Sequence, residues 1–287
     1  MNVHTRKIII SVATLSLLII ALTGLFDDIG KRYTDESFSR ALATFGLARG
    51  LNAVISVAQG TEIAIEPAGI GVTLTPGEML DPVNDLIERF SWVILASATA
   101  LGVQGFLLEI FSSAVFSFLV TLTIFSSLLL LWRSKPVSAG LRNSVYRVSL
   151  MLMILRFLIP VMAIASEGLY LFFLEPEYVE SNSQLAETKE TIHQINQKSR
   201  NNSRKSGELS WFERLGNNFQ SVFDSIQIDQ HMESMQNAVE NLTENTIRLI
   251  VVFVVQTILF PLFFLWMAVK LLQWVLRLQF TKNSSMN

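Results

Sequence analysis

The sequence predicts a mainly α-helical membrane protein with four transmembrane helices, cytoplasmic N and C termini and two extracytoplasmic segments. Three observations lead to this fold class. Of the 287 residues, 51% are hydrophobic and only 16% are charged, fewer than the quarter that is typical of soluble domains. The charged residues gather in blocks between apolar runs that are long enough to cross a bilayer. Alternate blocks contain lysine and arginine without acidic residues, as cytoplasmic loops do.

The longest apolar run, from Phe90 to Trp132, poses the main problem of topology. Its only charged residue is Glu109. As one continuous helix, its 43 residues would extend roughly 64 Å, about twice the ~30 Å hydrocarbon core of a bilayer. The run therefore either forms two spans or crosses once and leaves its other half outside.

The segregation of charge favours a single crossing. With four spans, the three cytoplasmic segments hold nine basic and no acidic residues. The two outer segments hold 22 acidic residues and, with Arg248 at the outer edge of the last span counted, twelve basic residues. A fifth span would mix these groups or move the basic C-terminal tail outside, against the positive-inside rule. We therefore expect the membrane part of the run at 112–132, with its apolar outer half buried against other segments or the outer leaflet.

The other segment boundaries follow from the ends of the apolar runs. The first run, Ile8 to Phe26, fits either an uncleaved anchor or a cleaved signal peptide, and its length favours the anchor. The predicted segments are transmembrane helix 1 at 1–26, the first extracytoplasmic segment at 27–89, the long apolar helix at 90–132 with transmembrane helix 2 at about 112–132, a basic cytoplasmic loop at 133–147, transmembrane helix 3 at 148–174, the second extracytoplasmic segment at 175–246, transmembrane helix 4 at 247–269 and a cytoplasmic tail at 270–287.

The first extracytoplasmic segment reads as a small α+β piece. Apolar residues at helical spacing predict a helix from about Phe38 to Ala58. Alternation at 62–66 and a second short run at 70–75, with turn residues between them, predict a β-hairpin. Asp81-Pro82 then predicts the start of the helix that runs into Phe90.

The second extracytoplasmic segment reads as a helical hairpin or stalk. Its composition predicts a loop at Ser199–Gly207. Beyond the loop, a heptad of apolar residues continues directly into the last span and requires partner helices, within the chain or between copies. The heptad positions are Met232, Met235, Val239, Leu242, Thr246, Leu249 and Phe253.

Three charged residues within apolar runs are candidate site residues. Arg156 is the only charge deep in a predicted span, which marks it for a pore, ion or partner-helix role. Its side chain could instead snorkel toward the cytoplasm and contact lipid phosphates. Glu109 and Glu167 fall near the predicted outer boundary, where they could line a vestibule or be ordinary hydrated interface residues.

A stripe of small and polar residues marks one face of the long run. Ala98, Gly102, Gly105 and Ser112, together with Glu109, recur at alternating spacings of four and three residues. Small residues on one face allow helices in membranes to approach closely. The stripe therefore predicts helix packing, and in an oligomer it could also line an aqueous path.

Reactive motifs do not stand out in this sequence. The chain has no cysteine, and His4, His193 and His231 lie far from one another without metal-ligand spacing. No serine elbow, P-loop or zinc-binding helix motif occurs. We therefore expect a protein that is not an enzyme and that uses no cofactor and binds no nucleic acid.

These features predict an oligomeric membrane protein, either channel-like or a scaffold, assembled through its long second helix and heptad stalk. Its expected partners are membrane lipids and either further copies or other membrane proteins, and its compact layout suggests a bacterial inner membrane. An envelope sensor or an accessory subunit of a larger complex is the alternative. A transporter is less favoured because four spans are few and paired broken helices are not evident.

Overall fold

The computed structural model of the chain describes residues 3–59, 63–65, 72–74, 80–133, 137–208 and 221–277. Nearly all of these residues are helical. The elements in order are α1 (Val3–Thr23), α2 (Leu25–Gln59), β1 (Ile63–Ile65), β2 (Val72–Leu74), α3 (Asp81–Ser112), α4 (Ala114–Trp132), α5 (Ala139–Leu169), a first π-helical turn π1 (Tyr170–Leu174), α6 (Glu175–Glu208), α7 (Ser221–Val254), a second π-helical turn π2 (Val255–Leu259) and α8 (Phe260–Arg277).

The mainly helical, membrane-type fold class agrees with the prediction. Among the described residues, six helical segments are long and apolar enough to cross a membrane by length and composition. These segments are His4–Thr23, Leu25–Gln59, Asp81–Ser112, Ala114–Trp132, Ala139–Gln194 and Gln236–Arg277. The number of crossings depends on which of these helices continue one another.

The long apolar run is broken at Ser113. Its backbone leaves the helical region there, with φ −58° and ψ 152°, and its Oγ accepts a hydrogen bond from the Phe116 N–H at 3.2 Å. This is N-cap geometry, in which a serine side chain satisfies one of the free N–H groups at a helix start. The run is thus two helices, α3 and α4. At its other end, α3 begins at Asp81, as the Asp81-Pro82 pair predicts.

The helix that the apolar spacing predicts from Phe38 begins much earlier, at Leu25. Gly24 separates it from α1 and has a φ of 70°, a left-handed conformation that glycine adopts without the steric cost of a Cβ. Asp27 and Asp28 occupy the first turn of α2, where carboxylates interact favourably with the positive end of the helix dipole. These two effects let the helix start directly after the break.

The two strands of the segment predicted at 27–89 are short. Ile63–Ile65 pairs antiparallel with Val72–Leu74, with Ile63 opposite Leu74. The predicted turn between them lies outside the described residues. Since each strand has three residues, the described part of the segment is otherwise helical, and its classification as α+β remains a prediction.

The loop predicted at Ser199–Gly207 is wrong, because α6 continues through it to Glu208. The prediction depended on the preference of serine, asparagine and glycine for turns. Serine and asparagine are only modestly unfavourable in a helix interior, so a stretch rich in them can continue a helix that has already formed.

The chain folds into two compact units. The first unit contains 1–39, 99–172 and 255–287, and the second contains 40–98 and 173–254. In the first unit, α1 packs on α4, α4 on α5 and α5 on α8. Its apolar core includes one cluster of Leu18, Val120, Ile124 and Met153 and another of Leu108, Ile159 and Met162.

The second unit has the burial pattern of a coiled-coil-like helical bundle. Buried residues recur at spacings of three and four along its helices, which is the heptad repeat of knobs-into-holes packing. They include Ala41, Thr44, Ala48, Leu51, Ile55 and Ala58 on α2, Val83, Ile87, Phe90, Ile94 and Ala98 on α3, Leu185, Thr188 and Ile192 on α6, and Ala238, Leu242, Leu249 and Val252 on α7.

The predicted heptad of α7 finds partners within the chain. Leu242, Leu249 and Phe253 are buried in the second unit, where α7 packs on α6. The described part of the heptad therefore does not require a second copy of the chain. The heptad therefore no longer supports the prediction that the chain forms an oligomer.

Truncating a core leucine should destabilise the second unit. Leu242 is fully buried, whereas Ile247, further along α7, is 49% exposed. We expect Leu242→Ala to cost about 2–5 kcal/mol through lost burial and a residual cavity, and Ile247→Ala to cost far less. Thermal unfolding of the detergent-solubilised variants, followed by circular dichroism, measures both. Equal melting temperatures for the two variants would contradict the heptad packing.

Candidate functional site

Arg156 forms the centre of a buried polar cluster in the first unit. Only 3% of the residue is exposed. Its Nη1 donates a hydrogen bond to Asp27 Oδ1 at 2.5 Å, and its Nη2 donates both to Asp27 Oδ2 and to the carbonyl of Ala21, the latter at 2.9 Å. The guanidinium thus holds a carboxylate with two parallel hydrogen bonds, the strongest geometry for this kind of pair.

The cluster joins the two sides of the helix break at Gly24. Ala21 belongs to the last turn of α1, where carbonyls lack hydrogen-bond partners within the helix. Asp27 belongs to the first turn of α2. Arg156 of α5 binds both groups, so one side chain satisfies the end of α1 and neutralises the start of α2.

Charge neutralisation is essential at such a position. Moving an ion out of water costs several kcal/mol even after relaxation, and breaking a buried pair leaves the remaining charge uncompensated. The Arg156 side chain is 4% exposed and the Asp27 side chain 12%. The Nε of Arg156 is also buried, and it has no hydrogen-bond partner among the described residues.

Sequence patterns alone do not identify Asp27 as the partner of Arg156. They place Asp27 on the outer aqueous side and leave only Glu109 and Glu167 as acidic residues near the membrane. The signal that could have found the pair is local. Gly24 interrupts the first apolar run near its end and Asp27 lies three residues further on, which is the pattern of a helix break with an acidic first turn.

Glu167 lies in a second buried polar cluster of the first unit. The residue is 2% exposed, and its Oε2 accepts a hydrogen bond from Ser37 Oγ at 3.0 Å. Gln256 Nε2 donates to the same Ser37 oxygen at 3.3 Å. Three helical segments, α2, α5 and π2, therefore meet at this cluster.

The π-helical turn π2 directs two consecutive polar residues inward. Gln256 and Thr257 are both buried, and the Gln256 carbonyl accepts a hydrogen bond from Ser166 Oγ at 3.4 Å. An inserted residue widens the turn and shifts the side-chain register, and such π-bulges occur frequently at functional sites. The sequence around Gln256 reads as a regular apolar helix and does not predict this turn.

A third polar contact lies on the same face of α2. Thr34 Oγ1 donates to the Gly30 carbonyl at 2.9 Å and accepts from Gln104 Nε2 at 3.3 Å. Together with Asp27 and Ser37, Thr34 makes the inward face of α2 polar along several turns. Hydrogen bonds between helices are expected here, because polar groups in an apolar bundle need partners.

Glu109 has a different environment from Glu167. It is largely exposed and lies 3.5 Å from Lys31 Nζ, which is also exposed. Pairs of this kind contribute only about 0–1 kcal/mol. The two carboxylates predicted at the outer boundary therefore differ: Glu167 is enclosed in the first unit, whereas Glu109 lies on its surface.

The small-residue stripe of α3 allows close packing on α2 where it lies in the first unit. A Cβ at Gly102 would lie 3.8 Å from Phe38 Cε2, and one at Gly105 would lie 3.6 Å from Thr34 Cγ2. Ser112 Oγ donates to the Leu108 carbonyl of its own helix at 2.6 Å, and Ala98 is buried in the second unit. These contacts favour helix packing as the role of the stripe.

Neither ligand chemistry nor relatives identify an activity. In the described ranges, no group of three or more histidine, cysteine, aspartate or glutamate residues could hold a metal ion. No protein-family model, curated protein or solved structure matches the chain. A proposed function therefore rests on the residues and contacts given above.

Removing one member of the Arg156–Asp27 pair should destabilise the protein more than removing both. We expect Arg156→Leu or Asp27→Leu alone to cost about 3–5 kcal/mol, because each leaves a buried charge without a partner. The double variant should recover much of this loss. Melting temperatures of the four proteins in detergent measure the coupling.

Glu244→Leu and Arg248→Leu form the matched control cycle, because this pair is exposed and should couple only weakly. If the two single changes at Arg156 and Asp27 simply added in the double variant, the pair would not have the role assigned to it.

A side chain at Gly30 should disturb the contact between α2 and α5. A Cβ there would lie 3.1 Å from both Pro160 Cα and Leu108 Cδ1, so backbone would have to move. We expect Gly30→Ala to cost about 1–3 kcal/mol through overpacking. Gly46→Ala, where no atom lies within 4 Å, should be neutral or slightly stabilising because alanine favours helix. Thermal unfolding distinguishes the two, and equal effects would contradict the close approach.

Proposed function

We propose that the chain is a non-enzymatic integral membrane protein that crosses the membrane four times and works as an oligomeric scaffold or channel-like assembly. The observation that carries the topology is the direction of consecutive helices within the first unit. Six apolar helices reduce to four crossings because two consecutive pairs of helices run in one direction.

The first such pair is α1 and α2. Ala21 of α1 is bonded to Arg156, and Ser37 of α2 is bonded to Glu167. From α1 to α2, the numbers of the contacting residues on α5 rise together with those of α1 and α2. Both helices therefore run parallel to α5. Successive spans of one chain must run in opposite directions, so this pair supports one crossing.

The second pair is α3 and α4. Leu108 packs in one cluster with Met162, and further along the chain the Thr123 carbonyl accepts a hydrogen bond from Ser149 Oγ at 2.7 Å. As residue numbers rise along α3 and α4, the numbers of the contacting residues on α5 fall. Both helices therefore run antiparallel to α5, which supports a single crossing at α4, as the charge segregation predicts.

This topology gives the protein a large extracytoplasmic helical part and only short cytoplasmic segments. A scaffold that works at the membrane and on its outer side is the function that such a distribution supports best. Fully buried side chains such as Leu51, Ile55 and Phe90 fill the core of the second unit. A channel-like form would therefore conduct between subunits. The compact layout is in keeping with a bacterial inner membrane.

An accessory subunit or envelope sensor is the second candidate. Polar contacts link the helices of the second unit: Asn245 Nδ2 donates to Gln184 Oε1 at 2.7 Å, and Arg248 Nη1 donates to Glu177 Oε1 at 2.5 Å. Polar residues in a helical bundle lower its stability and fix its register. A bundle of this kind could change its helix packing in response to a signal, and a partner protein would detect that change.

Native mass spectrometry of the complex in mild detergent separates these proposals. An oligomeric scaffold or channel should give a defined multiple of the 32.2 kDa chain mass. Masses that require other proteins would favour the accessory subunit. The mass of one chain alone would contradict oligomerisation. Conductance of the purified oligomer in planar bilayers then distinguishes a channel from a scaffold.

A further inference from the structure

The outward face of α2 in the first unit is strongly charged. Its exposed charged residues are Asp28, Lys31, Arg32, Asp35 and Glu36. Arg32 lies 4.0 Å from Glu36, and Lys31 lies 3.5 Å from Glu109. Asp28 and Asp35 form no ion pair with any other described residue. This charged α2 face therefore carries acidic groups on both sides of a basic pair.

Contacts inside the first unit define which residues lie level with this face. Gly30 lies against Pro160 and Leu108, and Leu108 belongs to a cluster that Phe264 packs against. Directly after Glu36, Ser37 is bonded to Gln256. The charged α2 face therefore lies level with about 101–110 of α3, the middle of α5, and π2 with the start of α8.

At this level the other outward faces of the first unit are apolar apart from Glu109, which lies next to Lys31. Phe106 of α3 is 64% exposed and Leu259 of π2 is 55% exposed. The exposed apolar residues at this level are Val103, Phe106 and Ile110 on α3, Val161 on α5, and Ile258, Leu259, Leu262 and Phe263 on π2 and α8.

A single copy in a bilayer cannot satisfy both kinds of surface. If lipid surrounds this level, five charged side chains face hydrocarbon over about 12 Å of helix. If water surrounds it, a large band of exposed phenylalanine, leucine and isoleucine remains uncovered, which soluble surfaces avoid. The two demands are met together when lipid covers the apolar faces and something polar covers the charged α2 face.

We infer that the charged α2 face is the contact between copies of this chain. At this contact the charged side chains, and the water between the copies, are kept away from lipid. The charges support a second copy as the occupant. Aspartate at 28, a basic pair at 31–32 and an acidic pair at 35–36 alternate in sign at one-turn spacing. Parallel α2 helices at the same height bring each charge near residues about one turn away on the neighbouring helix, so opposite charges pair between copies and are shielded from lipid. This inference deepens the proposed oligomer and depends on it.

Cross-linking of single-cysteine variants tests the contact, because the natural chain contains no cysteine. Asp28→Cys, Arg32→Cys and Glu36→Cys lie one turn apart on the charged α2 face. Phe106→Cys and Leu259→Cys are matched controls on the apolar faces at the same level. Each full-length variant is treated in native membranes with a short water-soluble bis-thiol reagent and analysed by denaturing electrophoresis.

We expect at least one α2 variant to give a band of twice the chain mass and neither control to do so. Cross-linking through Phe106→Cys or Leu259→Cys but none of the α2 variants would overturn the inference, as would the absence of any cross-link. The native mass of the complex then shows whether the α2 contact alone or the proposed oligomer as a whole is wrong. A multiple of the chain mass without an α2 cross-link rejects only this contact, whereas the mass of a single chain rejects the proposed oligomer as well.

Discussion

A buried arginine must be neutralised, and the arrangement of the first unit follows from how Arg156 meets this requirement. Its guanidinium binds the Asp27 carboxylate and the Ala21 carbonyl, so one residue of α5 fixes the end of α1 and the beginning of α2. The break at Gly24 supplies both partners, because it frees carbonyls on one side and presents an acidic first turn on the other. A continuous helix through Gly24 would leave the Ala21 carbonyl engaged within the helix.

The same logic extends along the inward face of α2. Asp27, Thr34 and Ser37 each bind a group on another helix of the first unit. These contacts are polar and directional, so they fix which residues of α2 lie beside which residues of α3 and α5. An apolar interface alone would tolerate a shift of one turn more easily. The parallel course of α1, α2 and α5, and with it the proposed count of four crossings, therefore depends on a few specific hydrogen bonds.

Much of this fold can be predicted from the sequence, because apolar length and charge segregation are local signals. The helical class and the start of α3 at Asp81 come from such signals. The break at Ser113 does not, because the apolar pattern predicts one long helix through it. The Arg156–Asp27 pair does not, since the two residues lie 129 positions apart and meet only when the helices are aligned. Composition also misled at Ser199–Gly207, where polar residues continue a helix. The role of Gln256 depends on a π-helical turn that has no clear sequence signal.

The central claim is that α1 and α2 together form one crossing. Determining on which side of the membrane the end of α2 lies tests this claim most directly. If α1 and α2 form one crossing, Ser56 and Ala139 are on opposite sides, whereas α2 as a separate span would put both in the cytoplasm. Both residues are exposed, and the chain has no other thiol. With a membrane-impermeant maleimide applied to intact cells, Ser56→Cys should be labelled and Ala139→Cys should react only after the cells are opened. Protection of Ser56→Cys in intact cells, followed by labelling of both variants after opening, would contradict the account.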